Sequence, residues 1–207
     1  MTPSEQKNAI PDVSALLEGY RTRLYDPVTQ MQACLERIDR LQPKLNAFSA
    51  HNAGAQEEAQ ASRARWQDGT PLGPLDGVPI SWKDLFDTAG VPTESGSALL
   101  AGRTPSRDAL VLSRASAAGL VCLGKTHQTE LAFSGLGLNP VTASPPCINA
   151  HAAVSGGSSS GAATSVAFGL AAAALGSDTG GSVRTPAAWN DLGGLKTTHG
   201  RIPLTGT

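Results

Sequence analysis

The sequence predicts one α/β domain, in which amphipathic helices alternate with short apolar strands. Turn residues bracket an apolar run at residues 78–82, and a second apolar run at 120–123 directly follows a helical pattern. The chain has 207 residues, 40% of them hydrophobic and 16% charged, which suits a single domain with a sizeable core. A layered α/β architecture therefore fits better than a helix bundle or a β-sandwich.

The clearest helix is predicted to begin at Asp26 and Pro27. Aspartate is a favoured N-cap, and proline is favoured at the first helical position. Apolar residues then recur at helical spacing at Val28, Met31, Leu35, Ile38 and Leu41. We expect Pro43 to end this helix.

The remaining elements follow in order along the chain. We expect a strand over residues 46–50, a polar helix over 55–67 and a helix over 109–118. From residue 155 onward small residues dominate, with two glycine-rich turns separated by a helix-compatible alanine run. Glycines allow close backbone approach and can present bare amide groups to a ligand.

Charge and cysteine usage exclude several classes of partner. A formal net charge of −1 provides no basic surface for nucleic acid or anionic lipid, so a small ligand is expected. Cys34, Cys122 and Cys147 show no CxxC pairing, which argues against a disulfide framework or a zinc site. Because neither a signal peptide nor a membrane span is evident, we expect a cytoplasmic protein. We also expect it to use neither metal nor cofactor.

Two short motifs match known patterns in an unfavourable context. Residues 119–126, GLVCLGKT, satisfy the phosphate-loop pattern, but their apolar centre is typical of a strand rather than of a loop that follows one. Residues 157–161 satisfy GxSxG around Ser159, with Asp178 or Asp191 and then His199 following. The preceding residues make a poor strand, although a serine-histidine hydrolase stays an alternative.

Lys83 is a second candidate for the catalytic base, besides His199. Lys83 follows the apolar run at 78–82 and neighbours Trp82 and Leu85. Work as a base near neutral pH needs its pKa lowered from ~10.4 to ~7 to 8, which burial can achieve. Asp84 would oppose this shift unless its carboxylate pointed away. Residues 177–182, SDTGGS, could supply converging amide groups to an oxyanion.

Four motifs in order carry a resemblance to a known family. They are GPLDGVPISWKDLFD, GKTHQTELAFSGLGLNP, SGGSSSGAA and GSDTGGSVRTPAAWNDLGGLK. Together they resemble the amidase signature family over residues 73–201. The resemblance implies a central mixed β-sheet flanked by α-helices, with residues 1–70 as an N-terminal helical segment of the same domain and 71–207 as the signature core. Because domains of this family continue further, we expect the core to be incomplete at its C-terminus.

The resemblance also implies a catalytic triad without histidine. Ser182 matches the nucleophile, Ser158 matches the bridging serine after a cis peptide bond from Gly157, and Lys83 matches the general base. A serine hydroxyl is a weak nucleophile, and Ser158 can accept its proton while donating one to neutral Lys83.

Further residues are expected to support this triad. The resemblance implies an oxyanion hole formed by the backbone amides of Thr179, Gly180, Gly181 and Ser182. Asp178 and Arg184 flank the turn and are expected to hold its shape. For Lys125 and Glu130 we expect an ion pair beside a helix.

The implied reaction is hydrolysis of a carboxamide to an acid and ammonia or an amine, through an acyl-enzyme. Residues 135–157 lack the NENSAFG-like segment expected of a glutamine-hydrolysing amidotransferase A-type subunit, which favours a free-standing amidase. The amidotransferase subunit stays an alternative, as do a homo-oligomer and a non-catalytic fragment.

Overall fold

A computed structural model describes residues 10–207 and centres on a four-stranded mixed sheet. The strands are β1 Phe48–His51, β2 Pro79–Lys83, β3 Val121–Thr126 and β4 Ala173–Leu175. Their order is β1-β3-β2-β4, with β1 antiparallel to β3 and β2 parallel to both β3 and β4. The predicted α/β class is confirmed, and residues 10–70 contribute a strand as well as helices.

Within residues 10–207, six α-helices surround the sheet. They are α1 Val13–Thr22, α2 Pro27–Leu45, α3 Ala55–Asp68, α4 Leu110–Ala117, α5 Ser160–Ala167 and α6 Arg184–Trp189. Side chains of β3 alternate between two apolar clusters: Val121 and Leu123 lie in one and Cys122 in the other, so the clusters occupy opposite faces of the sheet. Within residues 10–207, no helix is both long and apolar enough to cross a membrane.

Helix α2 begins where the sequence predicts but ends later. The Asp26 carboxylate accepts a hydrogen bond from the Thr29 amide at 3.0 Å, and Pro27 occupies the first turn. The prediction that Pro43 ends the helix is wrong, since the helix continues to Leu45. Leu45 is buried in the core, and the Asn46 amide bonds to the Gln42 carbonyl at 2.8 Å, so packing and a left-handed cap hold the last turn.

The small-residue region forms two kinds of element. Its first part is the helix α5, whereas the alanine run that looked helix-compatible contains strand β4. Residues Ala173 and Leu175 pair with Ile80 and Trp82 of β2, so sheet pairing overrides the helical propensity of alanine. Because β2 and β4 are parallel, their carboxyl ends lie side by side.

The other strand boundaries shift by a few residues. The strand expected at 120–123 runs from Val121 to Thr126 and is buried throughout. The residues of the apparent phosphate loop, Gly124, Lys125 and Thr126, therefore lie within β3, which confirms that GLVCLGKT forms a strand.

Gly161 provides a test of the packing that holds α5. A Cβ atom at this position would lie 2.2 Å from the Ala47 carbonyl oxygen and 2.7 Å from the His127 backbone nitrogen. We expect Gly161→Ala to lower the free energy of unfolding by roughly 1 to 3 kcal/mol, because backbone on two sides must move. Urea unfolding measures the change. Gly193→Ala is the control, since its added Cβ meets nothing within 4 Å, and equal midpoints for the two variants would contradict this account.

Candidate active site

Lys83 lies at the carboxyl end of β2 and is fully buried. Its Nζ donates a hydrogen bond to the Ser158 hydroxyl at 2.7 Å and another to the Ser177 hydroxyl at 2.8 Å. The two serines come from different turns, one before α5 and one after β4. The sheet thus brings the predicted base and bridging serine into direct contact.

The surroundings of Lys83 favour its neutral form. Burial lowers its pKa to about 7, because desolvation penalises the ammonium, and the negative charge of Asp178 opposes this shift. The neighbouring Asp84 carboxylate contacts Lys125 instead, with Oδ1 2.9 Å from Nζ. Lys83 therefore has the electrostatic character that a general base near neutral pH requires.

Backbone hydrogen bonds hold the turn that contains Ser158, the predicted bridging serine. The Gly157–Ser158 peptide bond is cis, the geometry that the resemblance implied. The Ser158 carbonyl accepts a hydrogen bond from the Thr129 amide at 3.1 Å, and the Gly157 amide donates to the Gly135 carbonyl at 2.8 Å. Ser158 is fully buried, and its hydroxyl accepts the hydrogen bond from Lys83 Nζ.

Ser182 lies in the turn between β4 and α6 and is partly exposed. Its carbonyl accepts a hydrogen bond from the Ser159 amide at 3.2 Å, which ties the two serine turns together. Within residues 10–207, no hydrogen bond involves the Ser182 hydroxyl. The contact between Lys83 and Ser158 is therefore formed, whereas Ser158 and Ser182 are not hydrogen-bonded through their hydroxyls.

Asp178 organises the turn that carries Ser182. Its carboxylate accepts backbone hydrogen bonds from Gly181 at 2.8 Å and from Val183 and Arg184 at 3.2 Å. The Arg184 guanidinium adds contacts at 2.9 and 3.0 Å. These bonds, that of Arg184 foremost, hold the pKa of Asp178 well below its usual range. Asp178 thus joins both the backbone of the turn and the Arg184 side chain.

The amides expected to form an oxyanion hole are not equivalent. In the described chain, those of Thr179, Gly180 and Ser182 have no partner within the protein. The Gly181 amide differs from the expectation because it donates to Asp178. Three amides are therefore free to meet an oxyanion, and Gly181 belongs to the turn's internal hydrogen bonding.

The alternative nucleophile Ser159 is engaged elsewhere. Its hydroxyl donates to the Ser177 carbonyl and accepts from the Ser177 amide, both at 3.3 Å. His199 is exposed in a distant turn of the sequence, and within the described residues its side chain makes no hydrogen bond. The structure does not bring these two residues together as a nucleophile and base.

Ser177 is a residue of the candidate site that the sequence reasoning missed. The sequence groups it with the anion-binding turn, but its side chain instead contacts Lys83. Ser177 follows the carboxyl end of β4 by two residues, and β4 is parallel to β2. Its closeness to Lys83 could therefore have been predicted if residues 173–175 had been recognised as a strand. Side chains at adjacent carboxyl ends of parallel strands commonly converge on one site.

The expected pairing of Lys125 with Glu130 is not observed. Lys125 lies in β3 and contacts Asp84, whereas Glu130 accepts a hydrogen bond from the Ser97 hydroxyl at 2.7 Å. The side chain of Lys125 leaves the strand toward the end of β2, which gives it a nearer carboxylate.

An apolar groove of about 310 Å³ lies between α5, β4 and α6. Ala162, Val166, Ala173 and Pro186 are among its lining residues. None of Lys83, Ser158 or Ser182 lines it, so the groove is adjacent to the candidate site rather than part of it.

Residues 30–207 match the profile of the family described as Amidase. This match covers most of the chain and agrees with the fold and the position of the motifs. The chain therefore belongs to the amidase family, the same group as the amidase signature family that its four motifs resemble.

Relatives of this chain include both amidotransferase subunits and amidases. It is 45% identical over 175 residues to the A-type subunit of the glutamyl-tRNA(Gln) amidotransferase from Anaeromyxobacter sp. (strain K), covering 83% of this chain and 35% of that protein. The chain thus spans about a third of the length of this curated relative. This relative is an amidotransferase subunit, whereas the sequence motifs favoured a free-standing amidase.

Solved structures share the fold. The native peptide amidase from Stenotrophomonas maltophilia superposes with a TM-score of 0.87 at 36% identity, covering 94% of this chain and 42% of the other. An inhibitor-bound vestigial protein complex related to an s-triazine catabolic enzyme gives a TM-score of 0.92 at 32% identity, covering 95% and 44%. The mixed α/β amidase fold is therefore established over nearly all of this chain.

Burial of Lys83 predicts a pH dependence of stability. Its pKa is about 7 in the folded protein and 10.5 as the reference value, so between these pH values the unfolded chain binds the extra proton. The free energy of unfolding should therefore rise with pH across this window, by on the order of 5 kcal/mol from this group. Below pH 7 the contribution is constant.

Lys83→Met should remove that rise. We expect the difference in unfolding free energy between parent and variant to change with pH between about 7 and 10.5 and to be flat below this window. Urea unfolding at several pH values measures it. A constant difference across the window would show that Lys83 is not buried with a lowered pKa.

Proposed function

We propose that this chain carries the catalytic residues of an amidase that hydrolyses a carboxamide through an acyl-enzyme. Ser182 acts as the nucleophile, Ser158 as the proton relay and Lys83 as the general base. The observation that supports this most directly is the 2.7 Å contact between Lys83 Nζ and the Ser158 hydroxyl in a buried setting. A neutral lysine there can accept a proton that a serine passes on.

The first chemical step forms the acyl-enzyme. The Ser182 oxygen attacks the amide carbonyl while its proton moves to Ser158, and Ser158 passes its own proton to Lys83. For this step the Ser182 hydroxyl must turn toward Ser158. The proton then returns through Ser158 to the leaving nitrogen as the carbon–nitrogen bond breaks. Water releases the acid by the same relay.

The turn after β4 supplies the electrostatic part of catalysis. Negative charge develops on the carbonyl oxygen of the substrate in the transition state, where fixed amide donors stabilise it. The amides of Thr179, Gly180 and Ser182 are the available donors, and loss of one such donor typically costs ~3 to 4 kcal/mol of barrier. The contact of Asp178 with Arg184 keeps these amides oriented.

The net charge of the chain bears on the kind of substrate it would take. A near-neutral chain suits a small amide substrate, without direct contact to nucleic acid. We also propose a cytoplasmic location, assembly as a homo-oligomer and a single domain composed of residues 1–70 and 71–207.

Ser177 helps to position Lys83 through its 2.8 Å contact.

Active-site labelling tests the assignment without requiring turnover. A fluorophosphonate should modify the parent chain at Ser182, since it reacts with an activated serine. Ser182→Ala should abolish labelling, and Lys83→Met should slow it by about a hundredfold or more, the range expected for loss of a general base.

Ser159→Ala and His199→Ala serve as matched controls that should retain labelling at Ser182. Hydrolysis of a panel of simple carboxamides should follow the same pattern. Modification at Ser159 that depends on His199 would replace this proposal with the serine-histidine hydrolase, and an unreactive parent chain would favour the non-catalytic fragment.

A second candidate is the glutamine-hydrolysing component of an amidotransferase. The 45% identity to an amidotransferase A-type subunit is the observation that favours it. In that case glutamine would be the amide substrate, and the ammonia released would serve a second reaction. Ammonia release from glutamine, compared with release from peptide amides and simple carboxamides, distinguishes the two candidates. A preference of about tenfold or more for glutamine would support the amidotransferase role.

A further inference from the structure

A buried ion pair lies directly behind the proposed base. Asp84 follows Lys83 in the sequence and is 5% exposed, and Lys125 of β3 is 1% exposed. Their side chains meet at 2.9 Å. Neither takes part in the proposed proton relay, and burying such a pair is costly unless its geometry is good.

Lys125 joins the ion pair to a loop. Its ammonium has three protons to donate, and it contacts the Phe86 carbonyl at 3.1 Å, the Pro92 carbonyl at 3.3 Å and the Thr93 hydroxyl. These acceptors all belong to the segment that leaves β2. Lys125 therefore draws that segment against the end of β3.

Asp84 is held from its other side as well. Its Oδ2 accepts the Glu94 amide at 3.2 Å, its carbonyl accepts the Ser95 amide at 3.2 Å, and its amide donates to the Thr126 carbonyl at 3.0 Å. The last bond extends the pairing of β2 with β3 by one residue beyond Lys83. The backbone around Lys83 is thus fixed by contacts of its neighbour.

Strand geometry separates the pair from the serines. Successive side chains of a strand point to opposite faces, so Trp82 and Lys83 of β2 point to opposite faces of the sheet. Lys125 is the register partner of Trp82 in the parallel neighbour, which places it on the face away from Lys83, where its Nζ contacts Asp84. The pair therefore adjoins the backbone of Lys83 without touching the relay.

The charges of Asp84 and Lys125 compensate each other next to Lys83, which must be neutral before it can accept a proton. Burial raises the pKa of Asp84 and lowers the pKa of Lys125, while their contact opposes both changes. Further titratable or charged groups that act on the pair are Asp87, Glu94, Arg103 and Cys122. Asp178 acts on Lys83 from the turn after β4 and is paired with Arg184.

We propose that Asp84 and Lys125 are positioning residues that fix the end of β2 and cancel each other's charge beside the base Lys83. This inference rests on the proposed function, because positioning matters only if Lys83 is the base. Lys125 accordingly supports the active site rather than forming the expected ion pair with Glu130 beside a helix.

Asp84→Asn tests the charge compensation. Asparagine retains the shape but leaves the Lys125 ammonium, still held by three oxygen acceptors, without its counter-charge. Its field disfavours a second ammonium at Lys83, so the titration midpoint of Lys83 should fall by about half a unit or more. NMR titration of isotopically labelled lysine side chains measures it, with the signal assigned through Lys83→Met. A midpoint within about 0.2 units of the parent would overturn the charge argument.

Asp84→Asn combined with Lys125→Met separates charge from position. The double variant carries no net charge at the pair, so the Lys83 midpoint should return to the parent value. Fluorophosphonate labelling of Ser182 should nevertheless stay at least about fivefold slower, because the contacts that fix the end of β2 are lost. Labelling within about twofold of the parent would overturn the positioning role. This variant also keeps the test decisive if the single variant does not fold.

A second ion pair provides the matched control. Arg65 and Asp76 meet at 2.7 Å near the opposite end of β2, and Asp76 is fully buried. Arg65→Met combined with Asp76→Asn should lower stability while leaving both the Lys83 midpoint and the labelling rate unchanged. An equal effect on those two readouts would show a general loss of stability and overturn the inference. Absence of Ser182 labelling in the parent would contradict the proposed function, whereas the NMR titration still tests the charge compensation.

Discussion

The burial of one lysine side chain is the constraint on which the rest of this site depends. An ammonium removed from water is costly unless opposite charge compensates it, and the groups hydrogen-bonded to Lys83 Nζ are two neutral hydroxyls. The neutral amine is therefore favoured, and a neutral amine can accept a proton. Most other features of the site can be understood as ways to maintain this arrangement. The carboxylates of Asp84 and Asp178, which lie near Lys83, are paired with Lys125 and Arg184, respectively.

Those carboxylates show how charge is distributed around the base. Asp84 faces Lys125 on the opposite side of the strand, and Asp178 faces Arg184 in the turn that carries Ser182. Each acid also accepts backbone hydrogen bonds, so each stabilises a segment while its charge is neutralised. The same two acids thus hold the end of β2 and the turn after β4, the elements from which Lys83 and Ser182 project.

Small residues make the close approach of these segments possible. Gly161 lies in the first turn of α5 against the backbone of residues 47 and 127, where a side chain would not fit. Ser159 and Ser160 then bond to neighbouring carbonyls through their hydroxyls, at 3.3 Å in each case. The run SGGSSSG is consequently a packed turn, in which one hydroxyl faces the lysine and the others satisfy the backbone. Its resemblance to a flexible linker arises because close packing and flexibility both favour small residues.

The sequence by itself determined the α/β class, the amphipathic helix that begins at Asp26, the strand character of GLVCLGKT and the family. These depend on local periodicity, capping and ordered motifs, which are properties of short stretches. Only the tertiary structure decided that an alanine run forms β4, because pairing with β2 outweighs local propensity. It also decided that Ser177 contacts Lys83, that Gly181 bonds to Asp178 and that Lys125 pairs with Asp84. These contacts join residues through turn geometry and strand register, and neither can be read from composition or spacing alone.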